Sequence, residues 1–535
     1  MHLEILHYKT KDGLKYYGKL RTSYREDRTV KHKELGTITG KSLEQLKTMQ
    51  AALRGEHVYD LKEWQEIGNY EYGLVHSISG VIKELGLEEA LYSRKELWRQ
   101  RVLAMIIGKI AYRGSKLGLV NIWKRTALGE EVGLGNGKMN VNDFYRAMDE
   151  LIKRKEKIER KLIRKHLRKG YGVLYDITSS YVEGSKNEYA AFGYNRDGKK
   201  GKRQIVIGLV CNEEGIPVAS QVYKGSTSDQ STLEGIGKSF RELYGVEEMI
   251  FIGDRGLLTK SKVSYIKELG FHFIRALTHR EMLEKLKSKR FYPSLFQEKE
   301  LIEIEDEENQ ERYIVCKDLL LKHNENKTRQ ELLEKTERKL AEIAEQVNKS
   351  KLKDAVKIGA RIGKWLYKWK VAKFIGWQLQ DGKLHFWRKQ EELKQAELLD
   401  GCYVIATDVK RNRLSKNRVI KMYKRLQRVE KDFRMLKTVG LEIRPINHRK
   451  ANRVKSHVFI CALALYVLFH IEQKLKSLFE NDKKGSQRAW SMKSVWESLK
   501  AIRKSEHTIE GHSFHTITVP DKDQELILNL LNQKL

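Results

Sequence analysis

Polar and apolar positions along the chain change rhythm several times. Residues 1 to about 50 alternate in strand fashion, with KYYGKLRTSY and TVKHKELGTI separated by the turn-like pair Glu26-Asp27. That pattern predicts a small N-terminal β unit. From about 60 to 170 the spacing becomes helical. Glu96 to Tyr112 reads as an amphipathic helix, and Asn142 or Asp143 is placed to cap a long one running to Lys169. The end of that helix, KRKEKIERKLIRKHLRKG, is dense in Lys and Arg; it reads equally as a solvated face or as a phosphate-contacting one.

At Tyr171 the texture shifts again. GVLYDITSSYVEG, RQIVIGLVC and GIPVASQVYKG read as three strands, with a hairpin turn at Glu214-Gly215. A helix (Ser231 to Tyr244), the strand EMIFIGD, a helix from about Thr259 to Leu269 and the strand FHFIRAL follow. The order β-β-β-α-β-α-β is that of an RNase H-like core, an α/β sheet flanked by helices. Residues 277–415 break the rhythm, mixing charged helices with hairpin-like pieces such as WQLQDGKLHFW, and read as an inserted mixed α+β domain. A basic helix from about Ser415 to Lys437 and an apolar helix from Ser456 then complete the core. The expected organisation is a β unit at 1–50, a helical DNA-binding region at 51–170, a core at 171–276 and 416–480, the insertion at 277–415, and a C-terminal helical region at 481–535.

Composition sharpens this picture. Across 535 residues, 104 Lys plus Arg face 71 Asp plus Glu, a net charge of +33. A folded chain with that charge repels itself, and a polyanion such as nucleic acid is the leading partner. A ribosome-associated protein or a merely basic enzyme is the alternative. Cys211, Cys316, Cys402 and Cys461 lack any C-x-x-C spacing, so buried free thiols in a reducing cytosol are expected and a zinc site is not. The opening MHLEILHYKTKDG has no apolar signal core, which favours a cytoplasmic location. Val458 to Ile471 is apolar but short for a membrane span and contains His470, so a buried core helix is expected there and no membrane association.

Candidate chemistry centres on carboxylates. Asp176 sits mid-strand in VLYDITSS, where an ionised group costs several kcal/mol unless compensated. A bound cation would compensate it; backbone N–H groups near a strand end are the plainer alternative. Asp254 ends the apolar run MIFIGD, the usual position of a site in an open α/β sheet. In an RNase H-like core the first and fourth strands are neighbours, which sets Asp176 beside Asp254. Two adjacent carboxylates call for a divalent metal between them, and oxygen ligands with open positions suit Mg²⁺ or Mn²⁺. Phosphoryl transfer uses two such ions about 3.5–4 Å apart. The third carboxylate is expected from Glu430 in KMYKRLQRVEKDFRMLKT, where Tyr423, Glu430 and Lys437 share one face of a regular helix. Alternatively Glu430 simply pairs with Arg434.

These motifs resemble the cut-and-paste DDE transposases of bacterial insertion sequences, in the branch with a β-rich insertion between the second Asp and the Glu. That branch carries a helix signature of Tyr, two residues, Arg, three residues, Glu, six residues, Lys. The chain matches it at Tyr423, Glu430 and Lys437 and departs at the Arg position, which is Leu426. GSTSD at 225–229, DRG at 254–256 and LEIRPINHRKANRVKSH at 441–457 strengthen the likeness, which covers about 170 to 480. It implies a homodimeric enzyme that binds terminal inverted repeats, cleaves the DNA at each end and joins the 3′-hydroxyls to target DNA. Asp176, Asp254 and Glu430 would hold two Mg²⁺ or Mn²⁺ ions. Tyr423, Lys437 and Arg255 would contact DNA, with Arg434 replacing the missing Arg.

Charge agrees with that reading: Lys410 to Lys455 holds 17 basic and 3 acidic residues, and the loop NRDGKKGKR at 195–203 adds to it. The insertion holds Trp365, Trp369, Trp377 and Trp387. Relatives that cut through a hairpinned end stack a flipped base on an aromatic side chain in this domain, although core packing explains at least three of the four. A structure-selective nuclease or resolvase on the same core, and a catalytically silent DNA-binding protein, are the competing functions.

Overall fold

The alternating N-terminal run forms an antiparallel meander of β1 (His2–Thr10), β2 (Gly13–Glu26) and β3 (Thr29–Ile38) in a computed structural model that describes all residues except 12, 57, 59–60, 168–171, 297–300, 350 and 481–489. One face is covered by the helix Leu43–Leu53, which starts in a capping box between Ser42 and Gln45. Gly18 allows that close approach, since a Cβ there would lie 2.8 Å from the Leu3 side chain. A short strand, β4 (Gln65–Glu71), leads into helices Gly73–Glu84, Leu97–Tyr112 and Val141–His166.

Leu97–Tyr112 differs from the amphipathic helix expected: it is buried on nearly every side, Arg99, Gln100 and Lys109 included. It is wedged between Val141–His166 and the apolar helix Ala451–Lys474, so no face is left for solvent. Asn140, just before the expected cap, accepts from the Asn142 N–H at the start of Val141–His166; Lys169 lies outside the described residues.

The central sheet contains β5 (Gly172–Tyr181), β6 (Gln204–Asn212), β7 (Pro217–Lys224), β8 (Ile250–Gly253) and β9 (His272–Ala276). Helices Asp229–Lys238 and Lys260–Glu268 fall where the sequence places them, the first capped by Ser228 of GSTSD. β10 (Ile302–Asp306), β11 (Glu311–Lys317), the hairpin of β12 (Ile375–Gln380) and β13 (Lys383–Arg388), and β14 (Cys402–Thr407) follow. The eight-stranded sheet has the order β10-β11-β14-β9-β8-β5-β6-β7 and is mixed, with β5, β8 and β9 parallel and the other pairs antiparallel. The chain is thus a mixed α/β protein with a large mixed sheet.

Residues 277–415 therefore divide. β10, β11 and β14 prolong the central sheet, whereas 319–399 closes around a second core that includes Leu333, Leu340, Ile358, Ile362, Leu366 and Leu384. At the other end of the chain, β15 (Arg503–Ile509) pairs with β4 on one side and β16 (His512–Ile517) on the other, so the C-terminal region is not solely helical.

Ala451–Lys474 is long and apolar enough to cross a membrane by length and composition, but 89% of its most apolar window is buried in the protein. It packs on β7, Val141–His166 and Leu97–Tyr112, which joins the N-terminal helices and the sheet in one core. All four cysteines are buried and free.

Histidines gather around this helix. Burial is the chief cause that lowers His448 to about 3 and His166 and His470 to about 4, and it holds His457 well below its usual value. Each group therefore favours the fold above the unfolded histidine value near 6.5, and that contribution is lost as pH falls through the folded value. His470→Leu is expected to raise the melting temperature by a few degrees at pH 5 relative to the wild type, and much less at pH 8. Thermal melts at the two pH values check this; an equal shift at both would assign the effect to packing.

Candidate active site

Strand pairing brings the first two carboxylates together. β5 and β8 run parallel with Leu174 opposite Ile252. Two residues further along each strand stand Asp176 and Asp254, on the same side of the sheet as that pair. Asp176 is still in the ladder, opposite Leu209 of β6, whereas Asp254 has just left β8. The Asp254 carboxylate accepts from the Gly256 N–H at 3.1 Å and the Leu257 N–H at 2.7 Å, which folds the DRG turn around it. Asp176 accepts from the Ile177 N–H at 2.7 Å.

That one N–H does not compensate Asp176. Burial pushes its carboxyl up to about 7; the Ile177 N–H opposes the rise, and the charges of Asp254 and Glu430 add to it. Both partner carboxylates thus lie within electrostatic reach of Asp176. They do not close on a single point: among the described residues no three His, Cys, Asp or Glu side chains are near enough together to hold one ion. The donors are nonetheless the hard oxygens that a divalent cation prefers, and Asp176 carries an uncompensated cost that such a cation removes.

Glu430 comes from the helical run after β14. Ser415 caps Lys416–Lys424, the chain steps at Arg425, Leu426–Arg434 continues, and a π-helical turn spans Met435–Val439. The single regular helix expected from Ser415 to Lys437 is therefore interrupted twice. Leu426–Arg434 packs against β5 and carries two acidic residues with opposite fates. Glu430 is exposed and acts on Asp176. Asp432 is fully buried, raised to about 7 chiefly by that burial, and paired with Arg428 at 3.0 Å.

Tyr423 is brought to the same place. Its hydroxyl is raised first by burial; the positive charge of Arg255 opposes the rise, while Asp254 and Glu430 add to it. Tyr423 thus lies within electrostatic reach of Arg255 and of the second and third carboxylates. Lys437 lies within the π-helical turn. Its ammonium lies 2.8 Å from Asp197, a carboxylate with 1% of its side chain exposed, which also holds Arg444 at 2.8 Å. Leu426 packs against the core, Arg425 donates to the Glu213 carbonyl at 2.5 Å, and Arg434 is exposed.

Sequence reasoning missed Arg196 and Asp197. Arg196 pairs with Asp229 of GSTSD, and its charge acts on both Asp176 and Lys437. Asp197 also accepts from the Tyr181 N–H at 3.0 Å, which ties the 195–203 loop to the end of β5. A polar loop rich in Lys and Gly gave no sign of a buried carboxylate. The GSTSD glycine has a packing cause as well: a Cβ on Gly225 would collide with the carbonyl oxygens of Gln204 and Ala191. Gly225→Ala is expected to destabilise the fold by about 2–4 kcal/mol. Chemical denaturation measures this, and an unchanged midpoint would show that the strand end is free to yield.

In the insertion, Trp365 and Trp369 stack at 5.0 Å against the second core. Trp377 and Trp387 of the β12–β13 hairpin are 38% and 48% exposed, so core packing does not account for them as it does for the other two.

No curated protein matches the sequence. Among solved structures, the piggyBac transposase in a synaptic complex with hairpin DNA is similar at a TM-score of 0.33 and 9% identity, over 80% of this chain and 78% of that one, which is too distant to carry an argument. The family model described as "Transposase DDE domain" matches residues 167–467, a span that contains β5, β8, the whole insertion and the Glu430 helix. That span exceeds half of the chain, which accordingly belongs to the DDE transposase-domain family.

Proposed function

We propose that this protein is a metal-dependent DNA transposase of the insertion-sequence type, built on an RNase H-like core, with Asp176, Asp254 and Glu430 as its catalytic carboxylates. The observation that carries the reading is the electrostatic convergence of Asp254 and Glu430 on the half-buried Asp176, in a chain of the transposase family. The partners are duplex DNA ends bearing terminal inverted repeats, target DNA, and a second copy of the chain in the cytoplasm of a prokaryotic cell.

The three carboxylates would hold Mg²⁺ or Mn²⁺, two ions per site, which when bound activate the attacking oxygen and stabilise the leaving one. The protein's own groups supply the rest. The Asp254 turn keeps one carboxylate at the strand end, and the Glu430 helix holds another against β5. Tyr423 and Arg255 stand together beside them as donors for phosphate oxygens. Lys437 and Arg444, drawn to Asp197, place a positive edge next to Arg196. The 410–455 segment then lays a net charge of +14 along the path of the DNA backbone.

Leu426 cannot serve a phosphate. Arg434, one turn beyond Glu430 on the same uninterrupted helical piece, is exposed and takes that role. Arg434→Ala is expected to slow end cleavage by about 10- to 100-fold, whereas Arg425→Ala acts on stability by removing its bond to Glu213. Cleavage rates on DNA carrying the repeats that flank the gene, read beside melting temperatures, test this. Equal rate losses in the two variants would mean that general positive charge serves the surface.

A further inference from the structure

Charge is distributed unevenly inside the second core. Its long helix Leu319–Asn348 carries six basic and six acidic residues, as an ordinary solvated helix does. The next segment does not: residues 351–373 hold eight Lys or Arg and one acid, Asp354. Within it, the helix Ala355–Lys368 has no acidic residue at all. Its basic residues are Lys357, Arg361, Lys364 and Lys368, all exposed. Those positions follow i, i+4, i+7 and i+11, so they fall within an arc of about 60° and run along roughly 16 Å of helix. Among the described residues, no carboxylate pairs with Arg361, Lys364 or Lys368; Lys357 reaches Asp354 only at 3.9 Å.

The opposite face of this helix is occupied. Ile358, Ile362 and Leu366 are 5% exposed or less in the second core, with Trp365 packed beside them. A basic amphipathic helix with a free apolar face suits a lipid surface, but here that face is already used. What remains is a straight row of cations, and such a row suits a regular polyanion. Solubility does not require it, because the neighbouring helix is solvated with balanced charge.

We infer that the exposed face of Ala355–Lys368 is a duplex-DNA contact surface. It binds the sugar-phosphate backbone without reading sequence and lies on the second core rather than on the sheet that bears Asp176. The inference rests on the transposase reading and adds to it a contact through the insertion, which gives the enzyme grip on DNA beyond the carboxylate site.

The test uses the full-length protein and a long duplex carrying one flank of the gene, with affinity measured across a salt series. The variant is Lys357→Gln, Arg361→Gln, Lys364→Gln and Lys368→Gln combined, which removes the charges and leaves the buried face untouched. The control is Lys322→Gln, Lys327→Gln and Lys335→Gln on the charge-balanced helix. The stripe variant should bind at least about tenfold more weakly at physiological salt, and its salt dependence should flatten by about 0.9 for each phosphate it no longer neutralises. The control should match the wild type in both. Wild-type affinity and slope in the stripe variant would overturn the inference, as would equal losses in variant and control. Loss of binding to anionic vesicles with DNA binding intact would overturn it in favour of a membrane surface. A wild-type protein with no salt-dependent DNA binding would instead sink the transposase reading itself. Far-ultraviolet circular dichroism of the stripe variant confirms that the comparison is between folded proteins.

Discussion

Alanine at Asp176, Asp254 or Glu430 is expected to lower DNA end cleavage by at least about a thousandfold, while affinity for the same DNA changes by less than about threefold. A thousandfold corresponds to about 4 kcal/mol of transition-state stabilisation, which is in the range that catalytic metal ions supply. Affinity is spared because it comes from the basic surface, most densely from 410–455, and removing one acidic group does not weaken that field. Asp432 is the internal comparison. It lies on the same helix as Glu430 but is buried against Arg428, so Asp432→Asn should shift the melting temperature rather than remove cleavage outright. Gel shifts and single-turnover cleavage on one substrate separate the two effects. Wild-type cleavage by any one of the three alanine variants would exclude that residue from the site.

The second large effect concerns metal and stability together. Asp176 has a carboxyl raised from 3.8 to about 7, first by burial and then by its two acidic neighbours. A group raised in this way favours the fold fully below its unfolded value, and the contribution is lost as pH rises through about 7. At pH 8 the metal-free protein therefore carries a cost of up to about 4 kcal/mol at this one position. Asp176→Asn removes the charge and should raise the metal-free melting temperature by several degrees at pH 8, with the gain vanishing toward pH 4. Mn²⁺ should stabilise the wild type and leave the variant unchanged, because binding to the folded form alone adds to stability. The same site predicts that excess chelator abolishes cleavage, that Mg²⁺ or Mn²⁺ restores it, and that Ca²⁺ permits DNA binding without efficient chemistry. Calorimetric melts with and without Mn²⁺ measure the stability shifts. A variant destabilised at pH 8 would mean that Asp176 is held by compensating bonds rather than by a cation.

The strands of the central sheet were legible because apolar runs bounded by turn residues leave few other options. Asp176 and Asp254 stood out as charges at places where apolar runs should have continued. Pairing of β5 with β8 follows from the order of elements, and with it the meeting of those two residues. Glu430 was legible only through the spacing of Tyr423, Glu430 and Lys437, and that spacing assumed a straight helix. The step at Arg425 and the π turn at Met435–Val439 are set by packing against β5 and Ala451–Lys474, which no local pattern records.

Other features were hidden for the same reason. β10, β11 and β14 look like any strands of an inserted domain, and only long-range pairing shows that they extend the central sheet. β15 finds its partner in β4, more than 400 residues away in sequence. The amphipathic reading of Leu97–Tyr112 failed where a helix is enclosed by two others, so that even Arg99 and Lys109 are buried. Arg196 and Asp197 could not be told from other loop residues, because their importance lies in partners at Asp229, Lys437 and Arg444.

Joining of a labelled 3′-hydroxyl DNA end to an unrelated target duplex, by purified protein with Mg²⁺, is the most direct measurement of what the Asp176 site does. The end should carry the inverted repeat that flanks the gene. The expected result is a covalent product with the end joined to a target strand, formed by the wild type and absent both with Asp176→Asn and in excess chelator. Hydrolysis of the end with no joined product would contradict transposition and point to a nuclease or resolvase. Joined product from Asp176→Asn, or in excess chelator, would contradict the carboxylate metal site.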